Sequence, residues 1–169
     1  MTRYKILIAL AAMTPLAAAD PLPKQIDNLD RLIGTWKGSG SVAMGKDKAK
    51  IDASFECKPT SAKFGVLCTF HVTGMPGMTY EETDLFGYEP NSDTYHWYSV
   101  TNAGETHDHV AKGPSGDRMD FVYTGTQDGK PMKETVSIEF SKDGKSVIGK
   151  SETLVAGAVV GSLDIKLRK

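Results

Sequence analysis

Along most of this chain, apolar and polar side chains alternate with a period of two. The alternation is plainest near the end. Val136, Ile138 and Phe140 alternate with Thr135, Ser137, Glu139 and Ser141, and Leu163, Ile165 and Leu167 alternate with Asp164, Lys166 and Arg168. Successive side chains of a strand point to opposite faces, so the pattern predicts strands with one dry and one wet face. Ten such segments are predicted: Thr35–Met44, Lys50–Lys58, Lys63–Thr73, Thr79–Tyr88, Thr94–Thr101, Glu105–Lys112, Asp117–Gly125, Met132–Ser141, Ser146–Val155 and Val159–Arg168. Turn-forming stretches such as Gly45-Lys46-Asp47, Asn102-Ala103-Gly104, Asp128-Gly129 and Asp143-Gly144 separate them. Ahead of the first strand, Ile26, Leu29, Leu32 and Ile33 recur at helical spacing, which predicts a short helix over Lys24–Ile33 that Gly34 stops. Tight hairpins without a long return connection favour an up-and-down meander closed into a barrel over a β-sandwich. Closure also removes the edges that a flat ten-stranded sheet would expose. The expected fold is all-β, a roughly ten-stranded antiparallel up-and-down barrel with one short N-terminal capping helix.

The first nineteen residues do not follow this pattern. Arg3 and Lys5 precede an apolar run from Ile6 to Met13, and Ala17-Ala18-Ala19 supplies small residues for cleavage. That is the layout of a secretory signal peptide, with an apolar stretch too short to span a bilayer. The domain reading is therefore a signal peptide over 1–19 and one barrel domain over 20–169, located in the periplasm or secreted. Its removal takes two basic groups and leaves 18 basic and 21 acidic side chains, net −3.

Charged residues make up 24% of the 169, and the full chain carries a formal charge of −1. This is ordinary globular composition. It offers no clustered positive surface for nucleic acid. Two cysteines are too few for a disulfide scaffold or a four-thiolate metal site. Cys57 and Cys68 fall on the apolar faces of consecutive predicted strands, and in an oxidising compartment two such thiols tend to pair. A bridge is favoured over two reduced, buried thiols.

Leu32-Ile33-Gly34-Thr35-Trp36-Lys37-Gly38-Ser39-Gly40 reads as a helix end followed by G-T-W-x-G-x-G. It resembles the opening of calycin-like barrels, the group of lipocalins, fatty-acid-binding proteins and nitrobindins. Leu85-Phe86-Gly87-Tyr88-Glu89-Pro90-Asn91-Ser92-Asp93-Thr94-Tyr95, followed by Trp97, resembles the FGYDP-type turn of a secreted bacterial family of lipocalin-like barrels. The resemblance implies the fold and gives no reaction. It places Trp36 across the closed end of the barrel, in agreement with a structural role for that ring. Nitrobindins hold haem iron through a late histidine. No histidine follows His109 here, so no cofactor is expected.

The candidate chemistry is sparse. His107 and His109 share a strand face about 7 Å apart by backbone rise. Two ligands fall short of a zinc site, so a solvated polar face is favoured and no metal is assigned. Thr79–Asp84 carries Glu81, Glu82 and Asp84, also read as an exposed face, and no nucleophile motif accompanies them. Gly74-Met75-Pro76-Gly77-Met78 reads equally as an adaptable lip at the barrel mouth or as a turn whose methionines pack on neighbours, with copper(I) ligation a lesser reading. Trp97, Tyr98, His96, Tyr80, Phe121, Tyr123 and Glu134 are the candidate ligand-binding residues, and none is assigned a catalytic role. The leading expectation is a carrier of a small apolar or amphipathic molecule. The alternatives are a small-substrate enzyme using Glu82, Asp84, His96 and Glu134, or an interaction module with a filled barrel.

Overall fold

The computed structural model describes residues 22–61 and 63–169. Residues 1–19, read as a signal peptide, lie outside the described residues. A short helix, α1 (Ile26–Asp30), precedes β1 (Gly34–Met44), β2 (Asp47–Pro59), β3 (Gly65–Thr73), β4 (Tyr80–Glu89) and β5 (Thr94–Thr101). The chain continues through β6 (Thr106–Ala111), β7 (Arg118–Gln127), β8 (Lys130–Phe140), β9 (Ser146–Val155) and β10 (Ala158–Arg168). Each strand pairs antiparallel with its sequence neighbours, and β1 also pairs with β10, which closes the barrel. The predicted strands are all present, most with ends shifted by one to three residues. Two hairpin turns place a non-glycine residue and the glycine after it in the left-handed region. Asp128-Gly129 (φ 50° and 73°) joins β7 to β8, and Ala156-Gly157 (φ 50° and 82°) joins β9 to β10. Asp-Gly announces such a turn in sequence, whereas Ala-Gly does not.

α1 is shorter than the helix predicted over Lys24–Ile33. After Asp30 the chain continues in single turns, with Leu32 N–H donating to Leu29 C=O at 2.9 Å and Ile33 N–H to Asp30 C=O at 3.1 Å. So short a helix is not stable in isolation and is held by its packing. Ile26, Leu29 and Leu32 are buried. They cover the end of the barrel where Trp36 lies, and the Trp36 indole N–H donates to Leu32 C=O at 2.7 Å. The same end is tied by Asn28 Nδ2 donating to Tyr95 Oη at 2.8 Å and by the Arg31–Asp117 ion pair at 2.8 Å. The Arg31 guanidinium also lies 4.4 Å from the Phe140 ring centroid. Trp36 is fully buried at this end.

Cys57 and Cys68 stand directly opposite each other on β2 and β3 and form a disulfide on the interior face. The bridge closes a short loop, with a sequence separation of 11, and constrains the unfolded chain accordingly. Replacing both cysteines by alanine is expected to lower the unfolding free energy by about 2–3 kcal/mol in urea titration. Reduction of the intact protein should add about 2 Da. An unchanged mass would mean that the thiols are free.

Candidate functional site

The interior is not filled. A cavity of about 330 Å³ runs from the Trp36 floor toward the end opposite α1. Its two walls differ in chemistry. On one side Val42, Phe55, Phe70, Val72, Leu163 and Ile165 present hydrocarbon and aromatic surface. On the other, β4, β5, β6 and β8 present Tyr80, Glu82, Asp84, Ser99, His107, His109 and Glu134.

This wall corrects two expectations. The carboxylates of β4 were expected on an exposed face, yet Glu82 and Asp84 share the face of buried Phe86, and Asp84 is 0% exposed. His107 and His109 were expected on a solvated face, yet both line the cavity and His109 is 3% exposed. The signal was present in the sequence. Period-two parity places Glu82 and Asp84 with Phe86, and His107 and His109 with Ala111. Polarity outweighed parity in that reading, because buried charge is rare.

Parity also decides against two of the candidate ligand residues. His96 and Tyr98 alternate with Tyr95, Trp97 and Ser99, so they lie on the outer face of β5. The His96 ring stacks on Tyr98 at 5.6 Å, His96 Nδ1 bonds Asp108 Oδ1 at 3.0 Å, and Tyr98 is 46% exposed. Neither reaches the cavity, and the acid–base set of the enzyme reading loses its histidine. Tyr80, Trp97 and Glu134 do line the cavity. Phe121 is core, packed edge-on to Phe86 and Trp97 at 6.1 and 5.6 Å. Tyr123 backs the wall and stacks on His107 with ring centroids 4.0 Å apart. In the Gly74–Met78 loop, Met75 turns inward and lines the cavity, while Met78 is 37% exposed.

The polar wall contains two linked groups of opposite electrostatic character. In the first, the Trp97 indole N–H donates to Asp84 Oδ1 at 2.6 Å, and Tyr80 O–H donates to Glu82 Oε2 at 3.0 Å. Burial, and then the neighbouring Glu82 charge, hold the Asp84 carboxyl well above the usual range. Burial raises Glu82 as well, against the hydrogen bonds that favour its ionised form. In the second group, Glu134 Oε2 sits 3.1 Å from His109 Nε2 and 3.3 Å from His107 Nδ1. Burial alone would raise Glu134, but hydrogen bonds from both histidines and their charges overcome it and bring the carboxyl to about 2. The Glu134 hydrogen bond in turn raises His107 against the opposing effect of burial. Two buried atoms of this wall, Asp84 Oδ2 and His109 Nδ1, have no hydrogen-bond partner among the described residues. An unpaired buried polar atom costs about 1–3 kcal/mol.

Neither a family model nor a curated protein matches the sequence. Solved structures do. Rv2717c from M. tuberculosis superposes with a TM-score of 0.65 at 14% identity, covering 88% of this chain and 99% of its own. The S-type phycobiliprotein lyase CPES from Guillardia theta superposes with a TM-score of 0.54 at 9% identity, covering 85% of this chain and 91% of its own. The likeness is one of fold. Both share the closed antiparallel β-barrel described above.

Proposed function

We propose that the mature protein is an exported barrel that binds a small amphipathic molecule in its interior without transforming it. The cavity carries the reading: one wall is apolar, and the facing wall presents Tyr80, Glu82, Ser99, His107 and Glu134. Burial of apolar ligand surface contributes about 25 cal/mol per Å² on the first wall. On the second, Tyr80, Glu82, Ser99 and Glu134 offer hydrogen-bonding groups, so the ligand expected has a polar end able both to donate and to accept hydrogen bonds. The disulfide fits an oxidising compartment, and the signal-peptide layout of residues 1–19 supplies the route to it.

Native mass spectrometry of the mature protein, purified from its own exported compartment, tests this reading. A discrete non-covalent mass on the wild-type chain is expected. A Ser151→Trp variant, whose indole would occupy cavity space, should lose that mass while retaining the barrel's circular dichroism. A bare wild-type chain under gentle ionisation, or a ligand retained in the variant, would overturn the reading.

One observation favours a second, enzymatic reading. A fold neighbour is named a lyase, and a Glu82–Asp84 pair whose carboxyls burial raises above their usual range suits general acid chemistry on a cavity wall.

A further inference from the structure

We propose that His107, His109 and Glu134 form a binding site for a divalent first-row transition metal, with zinc the best-matched ion. The sequence supplies two of the ligands as an i, i+2 pair on β6. The barrel supplies the third by bringing Glu134 of β8 across β7, so that one ligand atom from each residue lies within 4.8 Å of the others. Zinc binds imidazole nitrogen and carboxylate oxygen at about 2.0–2.1 Å, which sets neighbouring ligand atoms of a tetrahedron about 3.3 Å apart. The two Glu134 Oε2 distances, 3.1 and 3.3 Å, already have this spacing.

The ligands are also held from behind. The His107 ring lies flat on Tyr123 at 4.0 Å, the His109 ring rests 5.0 Å from Trp97, and Thr153 Oγ1 donates to Glu134 Oε1 at 3.5 Å. Such support around the ligands keeps them oriented and tunes affinity. Glu82 and Asp84 stand on the same cavity wall. A buried ionic triad is by itself a weak source of stability, and this one lies at a cavity wall, where its atoms remain reachable. Three protein ligands leave a tetrahedral ion one open position, and all three residues line the cavity. The open position therefore faces the space in which the proposed small molecule would sit, and water or a ligand head with a lone pair could fill it. The site stands on the triad's geometry and does not require that an organic ligand exist.

The test is titration of the chelator-treated, disulfide-intact protein with zinc chloride by calorimetry, alongside cobalt(II) as a spectroscopic probe. One equivalent of zinc per chain is expected, and cobalt(II) should give the intense visible bands of a tetrahedral site, shifted by added azide if the fourth position is open. His107→Asn, His109→Asn and Glu134→Gln should each weaken zinc binding at least tenfold, a loss of about 1.4 kcal/mol. A His71→Asn/His96→Asn variant changes only outer-face histidines and should bind as the wild type does. Circular dichroism identifies any variant that fails to fold, and His107→Asn, at a position less buried than His109, keeps the test usable if the His109 change does not fold. Absence of stoichiometric zinc uptake by the folded wild type overturns the site. So does undiminished binding in folded His107→Asn, or loss of binding in the outer-face variant. The probe is the metal alone, so failure here is distinguishable from failure of the small-molecule reading, which native mass measures separately.

Discussion

Asp84→Asn is expected to make the protein more stable above neutral pH and to flatten the fall of its stability as pH rises. Asp84 is fully buried, and burial together with the Glu82 charge holds its carboxyl well above the usual value. Its proton is retained in the fold at a pH where the unfolded chain has already released it. Unfolding therefore releases a proton, and rising pH favours the unfolded state. The contribution is fully present below the unfolded value near 3.8, and is lost as pH rises through the raised folded value. The slope cannot exceed about 1.4 kcal/mol per pH unit for each proton involved. Asparagine has the shape of the protonated acid, keeps an oxygen for the Trp97 indole N–H, and has no proton to lose. Urea unfolding at about pH 5 and about pH 8 measures the effect, with the variant gaining most at the higher value. Equal destabilisation at both would mean that Asp84 is held as a paired carboxylate. Glu82 is raised by the same burial, so a residual slope should persist in the variant and disappear only when Glu82 is changed as well.

Gly38→Val is expected to produce the largest loss of stability. A side-chain carbon built on Gly38 runs into the Lys166 carbonyl oxygen of β10, and one on Gly40 runs into that of Asp164. These are the positions where β1 closes on β10, with Gly38 opposite Leu167 and Gly40 opposite Ile165. The obstacle is backbone, which cannot rotate aside, so the strands must separate. A cost of about 3 kcal/mol is expected, corresponding to a fall in Tm of roughly 6–12 °C for a domain of this size. Gly87→Ala provides the control. A carbon added there meets nothing within 4 Å, so its Tm should stay near wild type. Equal losses at Gly38 and Gly87 would show that the β1–β10 seam has slack.

The alternation of side chains determined much of this protein without reference to its tertiary structure. A period of two over short segments separated by glycine-rich and Asp-Gly turns requires antiparallel hairpins, and a long meander of hairpins must close to hide its edges. Cys57 and Cys68, each on the apolar face of neighbouring strands, were already candidates for a bridge, and the β2–β3 register set them opposite one another. Parity even contained the inward direction of Glu82, Asp84, His107 and His109, and the outward direction of His96 and Tyr98, although polarity and aromatic character argued the other way for several of them. The helix end was less legible, because whether Leu32 and Ile33 extend α1 or leave it depends on how the segment seats over Trp36.

Only closure of the barrel decided the rest. Whether ten inward rows of side chains leave a void depends on their summed volume around the whole circumference, which no single strand encodes. Glu134 joins His107 and His109 because β6, β7 and β8 lie side by side with a particular stagger, and the carboxylate reaches past Tyr123 to two imidazoles that precede it by about 25 residues in the chain. The proton affinities of Asp84 and Glu134 are likewise products of the assembled interior. Both are carboxyls on one buried wall, and they shift in opposite directions because Asp84 faces another acid while Glu134 faces two bases.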